Sequence, residues 1–246
     1  MIDSSFEPRY WDIIAVVIIV GILPQWTTFF TMPRVRALPP DVQDRIRPRF
    51  YVEAMALQWV LGFIAVGHAL FGDLQPAQLG LSLEVSQLPE LAMGAVAAAG
   101  LLGFIAFQRV GIRKHPEGRE LVRKAIAKYD WIIPRTRNQK RIWLLVSLHA
   151  GIGEELFFRG FLLAALNSYL PLWAAAVVAV VMFGFAHTYQ GVKGVISTAA
   201  VGSVLMVLYL VTGSLWVPML AHAVYDIQGG LFAHWALYGK DAPRYG

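Results

Sequence analysis

Seven stretches of this chain, each about 20 residues long, are apolar enough to cross a bilayer as helices. They lie near Trp11–Phe30, Tyr51–Phe71, Leu91–Gln108, Ile142–Leu166, Leu172–His187, Val192–Val211 and Leu215–Tyr238. Lipid offers no partners for backbone N–H and C=O groups, so an open strand is excluded and the helix is the available form. The predicted fold class is all-α: a polytopic transmembrane helical bundle of about seven, or eight, membrane-spanning helices. Composition agrees, with 57% of the 246 residues hydrophobic and 15% charged, where a soluble domain carries roughly 25% charged residues. Trp11, Trp26, Trp59, Trp143, Trp173, Trp216 and Trp235 lie toward the ends of these stretches, as an interfacial belt requires. Met1 to Asp12 carries no basic n-region and no small-residue cleavage site, so the first stretch is expected to be a retained span rather than a signal peptide. The absence of cysteine excludes disulfides, thiolate metal sites and thiol nucleophiles.

Loop charges predict how the bundle is oriented. The first loop holds Arg34, Arg36, Arg45, Arg47 and Arg49, and the second holds Asp73 and Glu84 with no basic residue. The third carries Arg113, Lys114, Arg119, Arg123, Lys124, Lys128, Arg135, Arg137 and Lys140, and Lys193, Lys240 and Arg244 follow in later loops. Every second loop is basic, which predicts an N-terminus outside and a C-terminus in the cytoplasm; the localisation expected is a multi-pass protein of an inner or cytoplasmic membrane. The net charge of +5 is thereby read as topology, and no nucleic-acid partner is expected. Between Pro116 and Ile133, apolar residues at Leu121, Val122, Ala125, Ile126 and Tyr129 alternate with Arg and Lys, the pattern of an amphipathic helix on the membrane surface or of a solvated basic linker. Gly94, Gly100 and Gly103 in an Ala-rich stretch predict close helix packing. The chain reads as one integral membrane domain: N-terminal helices and a basic loop over 1–140, a core over 141–238 and a short tail over 239–246.

Charges inside a span are costly and mark a functional path or a structural pair. The fourth stretch contains Gly153-Glu154-Glu155-Leu156-Phe157-Phe158-Arg159-Gly160. Glu155 and Arg159 are four apart on one helical face and can neutralise each other. That leaves Glu154 unmatched in its own helix, so it either holds a proton or meets partners from other helices. Phe183-Gly184-Phe185-Ala186-His187 and His222-Ala223-Val224-Tyr225-Asp226 supply candidates. A lone histidine in an apolar helix is more often a hydrogen-bonding strut than a catalyst. Two of them with an unpaired Glu and an Asp offer what water activation needs, a base and donors for a developing oxyanion. Other intramembrane chemistries lack their residues: there is no His-Glu-x-x-His, no Gly-x-Ser-Gly and no Gly-x-Gly-Asp. By residue spacing, His187 lies nearer the end of its span than Glu154 does, which predicts a cavity open toward the cytoplasm.

Glu-Glu-x-x-x-Arg at 154–159, Phe-x-x-x-His at 183–187 and His-x-x-x-Asp at 222–226, in this order on successive helices, resemble the motifs of the CAAX protease and bacteriocin-processing (CPBP, or Abi) family. Phe158-Arg159-Gly160 and Ser214-Leu215-Trp216-Val217-Pro218 resemble its flanks, and the likeness spans roughly residues 141–238. The resemblance implies an intramembrane endopeptidase acting on a hydrophobic or lipidated peptide or protein, among membrane lipids. It implies that Glu154 and His187 activate water, that His222 and Asp226 stabilise the oxyanion, and that Glu155, Arg159 and Phe183 support the site. It also includes the CAAX-type prenyl-protein C-terminal peptidases and peptide-maturation or bacteriocin-immunity proteins. Position 226 departs from the prenyl-protein peptidases, which carry Asn there. An ionised Asp cannot donate to an oxyanion, but it could orient His222. It could also complete a Glu154, His187, His222 and Asp226 set for Zn²⁺. No cofactor is the preferred reading. A non-proteolytic membrane scaffold or regulator of the same fold is the alternative, and an ion-coupled transporter ranks last because no inverted repeat is evident.

Overall fold

The computed structural model describes residues 6–71, 74–82 and 85–239. Among them every regular element is helical. Asp73, Glu84, Lys240 and Arg244, whose charges entered the orientation argument, lie outside the described residues, as does the tail beyond Gly239.

Helix α1 runs over Tyr10–Arg36 and α2 over Pro40–Leu70. Helix α1 twice widens into π-type turns, at Val17–Ile22 and Thr27–Thr31, just before Pro24 and Pro33. Proline has no N–H and its ring crowds the preceding turn, and a wider turn relieves that crowding without ending the helix. Helix α3 covers Leu88–Arg113 and α4 covers Pro116–Ile126. Helix α5 spans 137–167, opened by a Thr136–Gln139 capping box and π-helical from Leu156 to Leu162. Helices α6 (Leu172–Phe185), α7 (Val192–Thr212) and α8 (Trp216–Tyr238) complete the bundle. Four helices, α1, α2, α3 and α7, are long and apolar enough to cross a membrane by length and composition, with α6 a shorter apolar helix.

Two corrections to the sequence reading concern where helices stop. The basic surface helix ends at Ile126, followed by a single 3-10 turn over Ala127–Tyr129, short of Ile133. Beyond the break the chain is tied to α2: the fully buried Arg47 guanidinium donates to the Trp131 carbonyl (2.9 Å) and the Asp130 carbonyl (3.1 Å), along with Gln139 and Asp44. Pro134, which has no N–H, offers the Asp130 carbonyl no helical partner. Likewise α6 ends at Phe185, and His187 stands on the turn beyond it.

Helix α5 is the central pillar, in contact with α2 on one side and α8 on the other. Glycines permit that approach. A Cβ on Gly153 would run into the Gln58 backbone of α2, and one on Gly151 would meet the Met219 carbonyl of α8. The main core joins Phe157, Phe158, Phe161 and Phe183 with Leu61, Ala65, Met206 and Tyr209. Helix α3 is packed sparsely, with Gly94 set against Thr212, and turns Met93, Val96, Phe104 and Phe107 outward. Exposed apolar side chains also line α1 and α2, the surface expected of a helix bundle in lipid.

The bundle has two unlike ends. One gathers the α1–α2 turn, α4, the Arg135 cluster with Asp44 and Asp130, and the 188–190 turn. The other ties Leu215 N–H to the Gly80 carbonyl (2.9 Å), Trp216 Nε1 to the Leu81 carbonyl (3.1 Å) and the Ser168 hydroxyl to the Phe6 carbonyl.

Candidate active site

The motif carboxylates leave α5 at its transition into π-helical geometry, and all seven residues of the π segment are buried. Glu155 Oε1 accepts from Arg159 Nη1 at 2.9 Å, with both side chains essentially fully buried. The same oxygen accepts from His222 Nδ1 at 2.8 Å. Arg159 donates from Nη2 to the Gly202 carbonyl (3.0 Å) and lies over the Phe183 ring at 4.4 Å. Glu155 therefore binds three helices together: its own α5, α7 through Arg159, and α8 through His222. The 155–159 pairing expected from spacing is present, and the grip on His222 is an addition that spacing did not reveal.

Glu154 faces a different environment. Gln58 Nε2 on α2 donates to its Oε1 at 3.4 Å, while Oε2 is buried and accepts no hydrogen bond from any described residue. That oxygen lies 4.0 Å from His187 Nε2. His187 Nδ1 donates to the Phe183 carbonyl at 2.8 Å, since a carbonyl can only accept. In the neutral ring this fixes the proton on Nδ1 and leaves the Nε2 lone pair facing Glu154. A water about 2.8 Å from each atom fits such a gap.

His187 reaches Glu154 because α6 is short. Its 14 residues rise about 21 Å from the opposite end of the bundle, so its last turn is sunk below the basic face. Counted from that same opposite end, Glu154 on α5 lies at about 20 Å. The two depths match, although counting from the basic ends of the spans suggested otherwise. The turn carrying His187 is held from outside. Gln190 N–H donates back to the His187 carbonyl (2.9 Å), and Gly191 leaves with φ +76°. The Tyr129 hydroxyl and Lys128 Nζ both donate to the Gln190 carbonyl, at 2.6 and 3.2 Å, and Thr28 of α1 meets Thr188 at 3.3 Å.

His222 Nε2 lies 3.6 Å from Asp226 Oδ2 one turn along α8, and the Asp226 carbonyl accepts from Trp143 Nε1 at 3.1 Å. Phe183 ties the histidines together, its ring centroid 5.0 Å from His187 and 6.0 Å from His222. Among the described residues no three His, Asp or Glu side chains are grouped so that they could hold a metal ion. Nδ1 of each histidine is engaged, that of His187 by the Phe183 carbonyl and that of His222 by Glu155, which leaves both Nε2 atoms free on the cavity side.

Glu154, His187, His222 and Asp226 all line one polar cavity of about 270 Å³ with Ser147, Tyr189, Gln190 and Tyr225. A second, mainly apolar cavity of about 350 Å³ opens between α1 and α2, lined by Ile19, Leu23, Met32, Leu57 and Phe158. Glu154, His187, Tyr189 and Gln58 belong to both. Burial pushes the Tyr189 phenol up to about 12, so its hydroxyl keeps its proton. Gln58 and Tyr189 went unnoticed in the sequence. An amide inside an apolar span was a readable signal for Gln58, but nothing distinguished Tyr189.

Residues 137–228 match the family model described as type II CAAX prenyl endopeptidase Rce1-like. No curated protein and no solved structure matches the chain.

Proposed function

From the premise that residues 137–228 belong to the Rce1-like CAAX protease and bacteriocin-processing family, a protease family, we propose that the protein hydrolyses a peptide bond in a membrane-associated or lipidated peptide or protein, without a metal. The observation that carries this reading is Glu154 Oε2 and His187 Nε2, 4.0 Å apart where the polar and apolar cavities meet.

A water held between the two gives its proton to Glu154 as its oxygen attacks the scissile carbonyl carbon. The resulting oxyanion lies toward His222, whose Nδ1 is tied to Glu155, leaving Nε2 to donate. Asp226 Oδ2 lies 3.6 Å from that nitrogen and orients the ring that donates there. Collapse of the tetrahedral species breaks the C–N bond, and Glu154 returns its proton to the departing amine. The apolar cavity takes the hydrophobic part of the substrate and the polar one takes the peptide to be cut. In this reading seven helices cross the bilayer, the N-terminus is outside and the basic end faces the cytoplasm.

The test is Glu154→Gln in purified protein given hydrophobic and prenylated peptides. Gln keeps the shape and the Gln58 contact but cannot accept a proton, so cleavage should fall by about 10²–10⁴-fold. Undiminished cleavage would overturn the assignment.

A further inference from the structure

Where α3 packs against α8 lies a second charged cluster, which shares Tyr225 with the lining of the Glu154 cavity. Helix α3 carries Arg109 and Arg113 one turn apart at its basic end. The Arg109 guanidinium sits 5.8 Å from the Tyr225 ring centroid and 5.5 Å from that of Phe232. Arg113 follows at 5.8 Å from Phe232 and 5.3 Å from Trp235. Arg109 and Arg113 thus lie over three aromatic rings of α8, with Phe232 between them, and Arg119 shares the Trp235 ring at 5.1 Å.

Stacking engages the flat face of a guanidinium and leaves its in-plane N–H groups pointing outward. Each guanidinium has five such donors. Arg109 donates from Nη1 to Gln228 Oε1 at 3.2 Å. Arg113 makes no hydrogen bond to a described residue, and neither forms an ion pair among the described residues. Glu120 on α4 is held by Arg123 and Lys124. Two adjacent like charges at the end of a membrane helix, with donors unspent on the protein, offer an anion a paired cationic seat.

The surroundings say which anion. Phe107 and Val110 on α3 are exposed beside Arg109, as is Phe104 one turn deeper. Arg109 lies only about 6 Å along the helix from its end at Arg113. An acidic oxyanion at that depth, flanked by outward apolar side chains, has the layout of a phospholipid: headgroup at the arginines and acyl chains along α3. We propose that Arg109 and Arg113, backed by Tyr225, Phe232 and Trp235, form a binding site for the phosphate of an anionic phospholipid.

The test uses full-length protein in mild detergent, with short-chain phosphatidylglycerol, short-chain phosphatidylcholine and inorganic phosphate as probes, read by native mass spectrometry and thermal shift. Phosphatidylglycerol should be retained over phosphatidylcholine, and retention should fall about tenfold in Arg113→Gln and in Arg109→Lys, which keeps the charge but loses the planar fork. Lys124→Gln removes one charge from the exposed face of α4 and should leave retention unchanged. Equal retention of phosphatidylcholine, an equal loss in Lys124→Gln, or a thermal shift from inorganic phosphate as large as that from the lipid would overturn the proposal. Arg113 is exposed, so that variant tests the site even if Arg109→Lys does not fold.

Discussion

Two adjacent carboxylates differ in role because helix geometry turns them about 100° apart. Glu155 points at Arg159 and His222, and Glu154 points at the cavity and Gln58. Removing charge from each should have opposite effects on stability. Glu155→Gln strands a fully buried Arg159 and should cost about 3–5 kcal/mol, lowering the thermal midpoint in detergent. Glu154→Gln removes a buried carboxylate oxygen that has no hydrogen bond from a described residue, and should leave the midpoint unchanged or raise it. A similar fall in both variants would mean that Glu154 belongs to the same structural network. At this scale the sequence was largely readable: four-residue spacing identified the Glu155–Arg159 pair and singled out Glu154. It did not show that His222 shares the Glu155 oxygen, because that contact joins residues 67 apart.

At the scale of elements, the site depends on how closely α5 approaches its neighbours and on how short α6 is. Gly153 and Gly62 both lie at the α2–α5 contact but in unequal space. A Cβ at Gly62 would make ordinary contacts of 3.6 Å, whereas one at Gly153 would overlap the Gln58 backbone. Gly153→Ala should therefore destabilise by about 1–3 kcal/mol and move Gln58 off Glu154, lowering cleavage as well as thermal midpoint. Gly62→Ala should leave both close to wild type. Equal effects would show that α2 is free to shift. Hydrophobic runs located these helices, because lipid imposes the run, but α2 begins at Pro40 rather than Tyr51 and α1 continues to Arg36 rather than ending at Phe30. Their ends were less legible: past the surface helix the chain is held by Arg47, which takes carbonyls more than 80 residues away in sequence.

For the whole molecule, the alternation of basic loops is a claim about sides of a membrane that labelling can check. The natural absence of cysteine makes single replacements clean reporters. Lys124 on α4, 71% exposed at its side chain, and Tyr169 between α5 and α6, 69% exposed, lie at opposite ends of the bundle. In intact cells an impermeant maleimide should label Tyr169→Cys and spare Lys124→Cys, with both labelled after permeabilisation. The reverse pattern would invert the orientation. The sequence by itself determined an all-helical bundle and the motif residues, because apolar run length and the cost of buried charge are local properties of the chain. Only tertiary structure decided what stands opposite each polar group. The depth of a short helix brought His187 level with Glu154, glycine contacts drew α2 and α8 against α5, and the packing of α1, α2 and the 127–132 segment supplied Gln58, Tyr129 and the wall of the apolar cavity. Those are distances between segments far apart along the chain, and they exist only once the helices have packed.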